Sequence, residues 1–195
     1  MVEDNIRSFI EKHRKEKDIQ LKVEEILSIY KLIKAKNCKY LVFGLGNDSG
    51  LWNFLNKDGR TVFLEDKPKW YETVKNNNPE IEAYLIKYKY ELSQWKYLLN
   101  KPELLMLDLP KKIKQMKFDV ILVDAPLGVD TRPQNKKQPP GRMMSIYTAS
   151  KIIKNEGSIF IHDAGRIVEN VYADKYLKKE NFVEEILGLK HYIIK

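Results

Sequence analysis

The chain has 195 residues, with 35 Lys and Arg against 27 Asp and Glu, so its formal net charge is +8. At 43% hydrophobic and 32% charged residues it can bury the core of one ordinary domain, which excludes both a disordered chain and a membrane-embedded one. A single cysteine, Cys38, excludes a disulfide framework or a Cys-rich zinc site within one chain.

No run approaches the roughly 18 apolar residues of a spanning helix. The opening MVEDNIRSFIEKHRKEKD is charged throughout, unlike a signal or transit peptide, so a reducing cytoplasm is the expected compartment. The lysines are scattered, which describes a solvated surface better than the basic stripe of a nucleic-acid binder.

Residues 1–36 read as a helical segment packed on a single domain, 37–195. Ile19, Val23, Ile26, Leu27, Tyr30 and Ile33 recur at helical spacing among charged and polar residues. Lys39 to Phe43 is a short apolar run that stops at Gly44-Leu45-Gly46, as a buried parallel strand does before a tight turn. A helix is predicted from Ser49 to Leu55. A strand over Thr61 to Leu64 ends in Glu65-Asp66, and Pro68 opens a helix through Val74. Ile81 to Ile86 reads as a third strand and Glu91 to Leu99 as a helix.

Phe118 to Val123 is the clearest buried strand and ends at Asp124-Ala125-Pro126. Leu127 to Pro140 is a long loop. A helix is predicted from Arg142 to Lys154, a strand from Ser158 to Ile161 ending at His162-Asp163, and a helix from Ile167 to Lys178. Phe182 to Ile186 and Tyr192 to Ile194 face each other across Gly188 as a terminal hairpin. Alternating strands and helices define an α/β fold with a mostly parallel, Rossmann-like sheet, closed by the antiparallel hairpin. Ligands of such sheets sit beyond the carboxyl ends of the strands. Those ends carry Gly44 to Asp48, Glu65-Asp66, Tyr88, Asp124 and His162-Asp163.

Gly44-x-Gly46 lets the backbone approach a ligand, and Glu65, 19 residues after Gly46, stands where an acid accepts both hydroxyls of a ribose. The third glycine of a dinucleotide fingerprint is missing, so S-adenosylmethionine (SAM) fits better than NAD. Asp124 and either His162 or Asp163 lie on adjacent strand ends. They suit a base with its orienting partner, or an oxygen and nitrogen site for a divalent cation. Arg142 opens a helix after a Pro-Pro loop and offers a planar fork to a carboxylate or phosphate. His13 and His191 read as structural or exposed, and Cys38 as a small core residue.

The segments LVFGLGNDSGLW, GRTVFLEDKPKW, IKYKYELS, FDVILVDAPLG, PPGRMMSIYTAS and IFIHDAGRIVE run in that order between Tyr40 and Leu177. In them the chain resembles the glucuronoxylan 4-O-methyltransferase family of plants, also described as polysaccharide-biosynthesis domain proteins. The resemblance implies a class I SAM-dependent methyltransferase fold and transfer of a methyl group to a sugar hydroxyl, usually the 4-hydroxyl of glucuronic acid. It implies that Gly44, Gly46 and Asp48 hold the methionine end of SAM and that Glu65 holds its ribose. Asp124, which also borders the cofactor, would line the reacting centre with His162 and Asp163. The resemblance further implies help from a divalent metal such as cobalt, manganese or magnesium, held by those same three residues. Arg142, Tyr88 and Arg132 would lie on the acceptor side, beside a loop made basic by Lys136 and Lys137. The expected partner is a uronic-acid saccharide in preference to nucleic acid, with no membrane span. The rivals are a nucleic-acid or small-molecule methyltransferase, for which no N/D-P-P-Y motif or Lys-Asp-Lys-Glu tetrad stands at a strand end, and a silent module that binds an acidic glycan.

Overall fold

The computed structural model describes residues 2–129 and 138–195. Two helices come first, α1 (Val2–Lys17) and α2 (Val23–Ile33). Then follow β1 (Lys39–Phe43), α3 (Ser49–Leu55), β2 (Arg60–Glu65), α4 (Pro68–Asn77) and β3 (Glu82–Leu85). After two one-turn helices, α5 (Trp95–Leu98) and α6 (Lys111–Lys114), come β4 (Phe118–Val123), α7 (Met143–Ile152), β5 (Ile153–Ile161) and α8 (Ile167–Ala173). The chain closes with β6 (Phe182–Ile186) and β7 (Leu189–Ile193).

The seven strands form one sheet in the order β3-β2-β1-β4-β5-β7-β6. β1 to β5 pair in parallel, whereas β7 runs antiparallel to β5 and to β6. Strand order reverses between β1 and β4, so the carboxyl ends of those two strands open the crevice of a doubly wound sheet.

Alternation sorts the strand residues onto two cores. Leu41, Phe43, Leu64, Ile121, Val123 and Ile161 pack under α7 and α8. Tyr40, Val42, Phe63, Leu122 and Phe160 pack against Ile26, Ile29 and Ile33 of α2 and Leu51 and Trp52 of α3. The N-terminal pair of helices thus covers one face of the sheet and brings the 18–22 turn to the crevice. Among the described residues, no helix is long and apolar enough to cross a membrane.

The strands expected over Ser158–Ile161 and Tyr192–Ile194 run over Ile153–Ile161 and Leu189–Ile193, the helix expected through Val74 runs to Asn77, and three other helices also differ from expectation. The helix expected over Glu91–Leu99 is a single turn at Leu92–Gln94 followed by α5. The hydroxyls of Tyr172 and Tyr176 donate to the carbonyls of Trp95 and Leu99 and tie this short segment to the region of α8. The helix expected to Lys154 stops at Ile152, because Ile153 already pairs with Phe118 as the start of β5. The helix expected to Lys178 leaves α geometry after Ala173 and winds on in wider and tighter turns to Asn181.

Candidate active site

β1 ends at Phe43, and Gly44 turns the chain with φ +117°, where a Cβ would stand 3.2 Å from the Cβ of Ala125 beyond β4. Glycine alone combines that backbone with that approach. At Gly46 a Cβ would stand 2.6 Å from Oδ1 of Asp48, so its absence lets the Asp48 carboxylate fold back over the turn. Oδ2 of Asp48 accepts the indole N–H of Trp52 at 2.7 Å. Burial, and after it the charge of Asp124, pushes the Asp48 carboxyl up to about 6.

That shift has a sign. The folded chain holds the Asp48 proton more tightly than the unfolded chain, so the associated stability is present below the ordinary value of 3.8 and is lost as pH rises to about 6. Asp48→Asn is therefore expected to gain stability relative to the wild type across that window. Urea unfolding of both proteins at stepped pH measures it, and a constant difference from pH 4 to 7 would refute the shift.

Glu65 ends β2 and is only 4% exposed. Its Oε2 accepts the N–H of Leu45 at 2.9 Å, and its Oε1 accepts those of Asp66 and Lys67 at 3.0 and 2.8 Å. Burial raises its pKa. A carboxylate offers about four acceptor positions, and three are taken. The expectation that Glu65 accepts both ribose hydroxyls is corrected accordingly: one position is left, and its neighbour Asp66 lines the same cleft.

The cleft has two adjoining lobes, of about 360 and 200 Å³, whose walls share Gln20, Gly46, Asp48, Trp70 and Asp124. The larger adds Gly44, Glu65, Asp66 and Lys67, and the smaller adds Asp18 and Asn47. Among the described lining residues the carboxylates of Asp18, Asp48, Glu65, Asp66 and Asp124 stand against one cation, Lys67. Such a wall attracts a cation and repels a pyrophosphate.

Asp124 follows β4 and His162 follows β5, whose register pairs Val123 with Ile161. Nδ1 of His162 lies 2.7 Å from Oδ1 of Asp124. Burial by itself lowers the His162 pKa, but the Asp124 bond and the charges of Asp124 and Asp163 outweigh it and raise the net value. Arg142, 3% exposed, holds the cluster together. Its Nε donates to the Pro126 carbonyl at 3.0 Å and its Nη1 to the His162 carbonyl at 2.5 Å. Its Nη2 donates to Asp163 Oδ2 at 2.9 Å and to Asp124 Oδ1 at 3.3 Å. Among the described residues both side-chain partners of Asp124 meet Oδ1, which leaves Oδ2 to the cleft that Asp124 lines. Asp124 lines both lobes; His162, Asp163 and Arg142 line neither.

The expected metal ligands do come together: Asp124, His162 and Asp163 offer atoms within 4.8 Å of one another. The guanidinium of Arg142 nevertheless bridges the two carboxylates, and Arg166 adds a second at 2.8 Å from Asp163 Oδ2. As arranged, the residues do not fit a cation, because positive charge already stands between the oxygens that would bind it. Arg142 is also displaced from its expected place on the acceptor side, since four contacts and deep burial withdraw its fork from any ligand. Tyr88 is likewise turned away, its hydroxyl 2.7 Å from Oγ of Ser145, which donates to the Ala125 carbonyl. Arg132, Lys136 and Lys137 lie outside the described residues.

Residues 24–104 and 99–192 match the family described as IRX15/IRX15L/GXM. The chain belongs to that family. It is 34% identical over 182 residues to glucuronoxylan 4-O-methyltransferase 1 of Arabidopsis thaliana, covering 83% of this chain and 62% of that protein. It is 33% identical over 201 residues to arabinogalactan O-methyltransferase 2 of the same plant, covering 90% and 67%. The chain thus spans 62% and 60% of the length of two glucuronoxylan 4-O-methyltransferases that it matches. Solved structures share its architecture at low identity. A caffeoyl-CoA O-methyltransferase, so described as putative, from Staphylococcus aureus aligns with TM-score 0.54 and 12% identity over 97% of this chain and 91% of that one. A TehB-like SAM-dependent methyltransferase from Corynebacterium glutamicum aligns with TM-score 0.52 and 15% identity over 85% and 86%. The fold is the Rossmann-like one of class I SAM-dependent methyltransferases.

This IRX15/IRX15L/GXM chain also builds its site from residues that the sequence reading passed over. Gln20 overhangs both lobes from the turn between α1 and α2, and Trp70 closes the wall from α4, its indole N–H donating to the Leu45 carbonyl. Gln20 has no local signature, whereas Trp70 closes the GRTVFLEDKPKW segment, which the sequence reading quoted without giving this residue a role. Glu25 of α2 and Glu169 of α8 are buried acids. Glu25 was detectable: it stands four residues from Leu21 and from Ile29, on the apolar stripe of its helix, where an acid is out of place.

Proposed function

We propose that this IRX15/IRX15L/GXM protein is a SAM-dependent O-methyltransferase whose acceptor is a sugar hydroxyl, with the 4-hydroxyl of a glucuronic acid unit as first choice. The observation that carries the reading is the acidic two-lobed cleft with a free oxygen of Asp124 at the junction of its lobes. SAM carries a sulfonium and an ammonium, which suit that wall. When bound it supplies an electrophilic methyl group.

The residues then divide the work. Gly44 and Gly46 let the backbone close on the ligand, Asp48 with Asp18 faces its ammonium end, and Glu65 and Asp66 each take a ribose hydroxyl. Asp124 Oδ2 accepts the proton of the acceptor hydroxyl, while His162 and Arg142 hold Oδ1. A sugar hydroxyl is a poor nucleophile at neutral pH, so removal of its proton is the help it needs. The uronic acid is supported by the names of the relatives, and Lys67 is the cleft cation nearest in kind to a carboxylate reader. The loop residues Arg132, Lys136 and Lys137 are further candidates for that reading.

A second reading has a divalent cation on Asp124, His162 and Asp163, favoured by their convergence; it requires the Arg142 guanidinium to withdraw. One assay addresses both. Methyl transfer from labelled SAM is followed on a glucuronoside and on the matching glucoside, after chelation and after adding back magnesium, manganese or cobalt. Full transfer to the glucuronoside after chelation is the expected result. Loss that an ion restores supports the second reading, equal turnover of the two sugars removes the uronic acid, and no transfer to either overturns the sugar acceptor.

A further inference from the structure

The N-terminal helices carry one group that neither packing nor capping explains. Glu25 is 1% exposed on α2, within the apolar layer that covers the sheet. Its Oε2 accepts the backbone N–H of Lys22 at 2.6 Å and so caps the helix. Its Oε1 has no hydrogen-bond partner among the described residues and lies 3.9 Å from Nε2 of His162. A glutamine would cap equally well, since the cap uses one oxygen. A second carboxyl oxygen buried without a partner is costly, and what it faces is the outer nitrogen of the imidazole whose inner nitrogen holds Asp124.

We propose that Glu25 is a positioning residue for the transfer reaction. With a ligand bound, its Oε1 closes on His162 Nε2 and clamps the imidazole between two carboxyl groups. The ring then keeps Nδ1 on Oδ1 of Asp124, and Oδ2 stays presented to the cleft. The N-terminal helical segment thereby belongs to the site and not only to the core. The inference rests on the reading of Asp124 as the reacting carboxylate.

The test uses E25Q and E25L in the full chain, with D124N in parallel. E25Q preserves the cap through its carbonyl oxygen and is expected to keep the wild-type melting temperature, SAM affinity and KM for the acceptor. Its kcat is expected to fall about tenfold, the equivalent of about 1.4 kcal/mol of transition-state stabilisation, and E25L is expected to fall further. Nitrogen NMR at fixed pH is expected to show the His162 ring signals displaced in E25Q. Wild-type kcat and ring signals in E25Q overturn the inference, as does a kcat loss that only tracks loss of stability and SAM binding. If D124N loses activity while the Glu25 variants do not, the inference alone fails. If D124N keeps wild-type activity, the reading of Asp124 fails and takes the inference with it.

Discussion

Asp124→Asn is expected to lower kcat by roughly 10²- to 10⁴-fold, the usual contribution of a positioned general base. The substitution is close to isosteric. Its amide oxygen can still accept from Nδ1 of His162 and Nη2 of Arg142, the two partners that meet Oδ1. Its amide nitrogen then stands where Oδ2 faced the cleft, and it cannot take a proton. The loss should therefore fall on kcat, with SAM affinity weakened only by the removal of one of the five carboxylates in the lining. Single-turnover transfer and calorimetric titration with SAM separate the two effects. A variant that binds SAM normally and turns over like the wild type would move the base to another of the carboxylates that line the cleft.

Arg142 carries the largest expected effect on stability. It is buried, and it answers the charges of Asp124 and Asp163 while saturating the carbonyls of Pro126 and His162. Removing one partner of a buried charge cluster costs about 3–5 kcal/mol, because the remaining charges are left uncompensated. In a chain of this size that lowers the melting temperature by about 6–20 °C. Arg142→Leu should show the full loss in urea unfolding. Arg142→Lys should recover part of it, since a point charge cannot reproduce a fork that reaches four acceptors. SAM binding should weaken in both, because the loop at Ala125 and Pro126 borders the cleft. A wild-type unfolding midpoint in Arg142→Lys would mean that the guanidinium is dispensable to the cluster and free to read an acceptor carboxylate.

Much of the architecture was legible because parallel strands buried on both faces read as continuous apolar runs. Phe118–Val123 and Ser49–Leu55 appear in the structure with the bounds that the sequence suggested. The hairpin over Phe182–Ile193 was marked by its turn, where Leu187 and Gly188 both take positive φ. Where elements shifted, a distant partner decided. Phe118 draws Ile153 into a strand, which ends the preceding helix at Ile152. Propensity over a short window carries no record of such partners.

The site divides along the same line. The sequence by itself determined which polar residues stop the strands, since a buried run that ends in Gly44, Glu65, Asp124 or His162 puts each of them at the carboxyl rim. Only the tertiary structure decided what each one does there. It set Asp124 on the cleft wall with His162 outside it, withdrew Arg142 from the ligand to bridge two acids, and occupied most of Glu65 with backbone donors. It also brought Glu25 to within 3.9 Å of His162 across most of the length of the chain. The physical reason is that strand ends are set by local hydrophobic runs, whereas charge is compensated between groups far apart in sequence. A buried carboxylate takes whichever donor the packed helices and loops deliver to it, and that pairing settles which oxygen is left for chemistry.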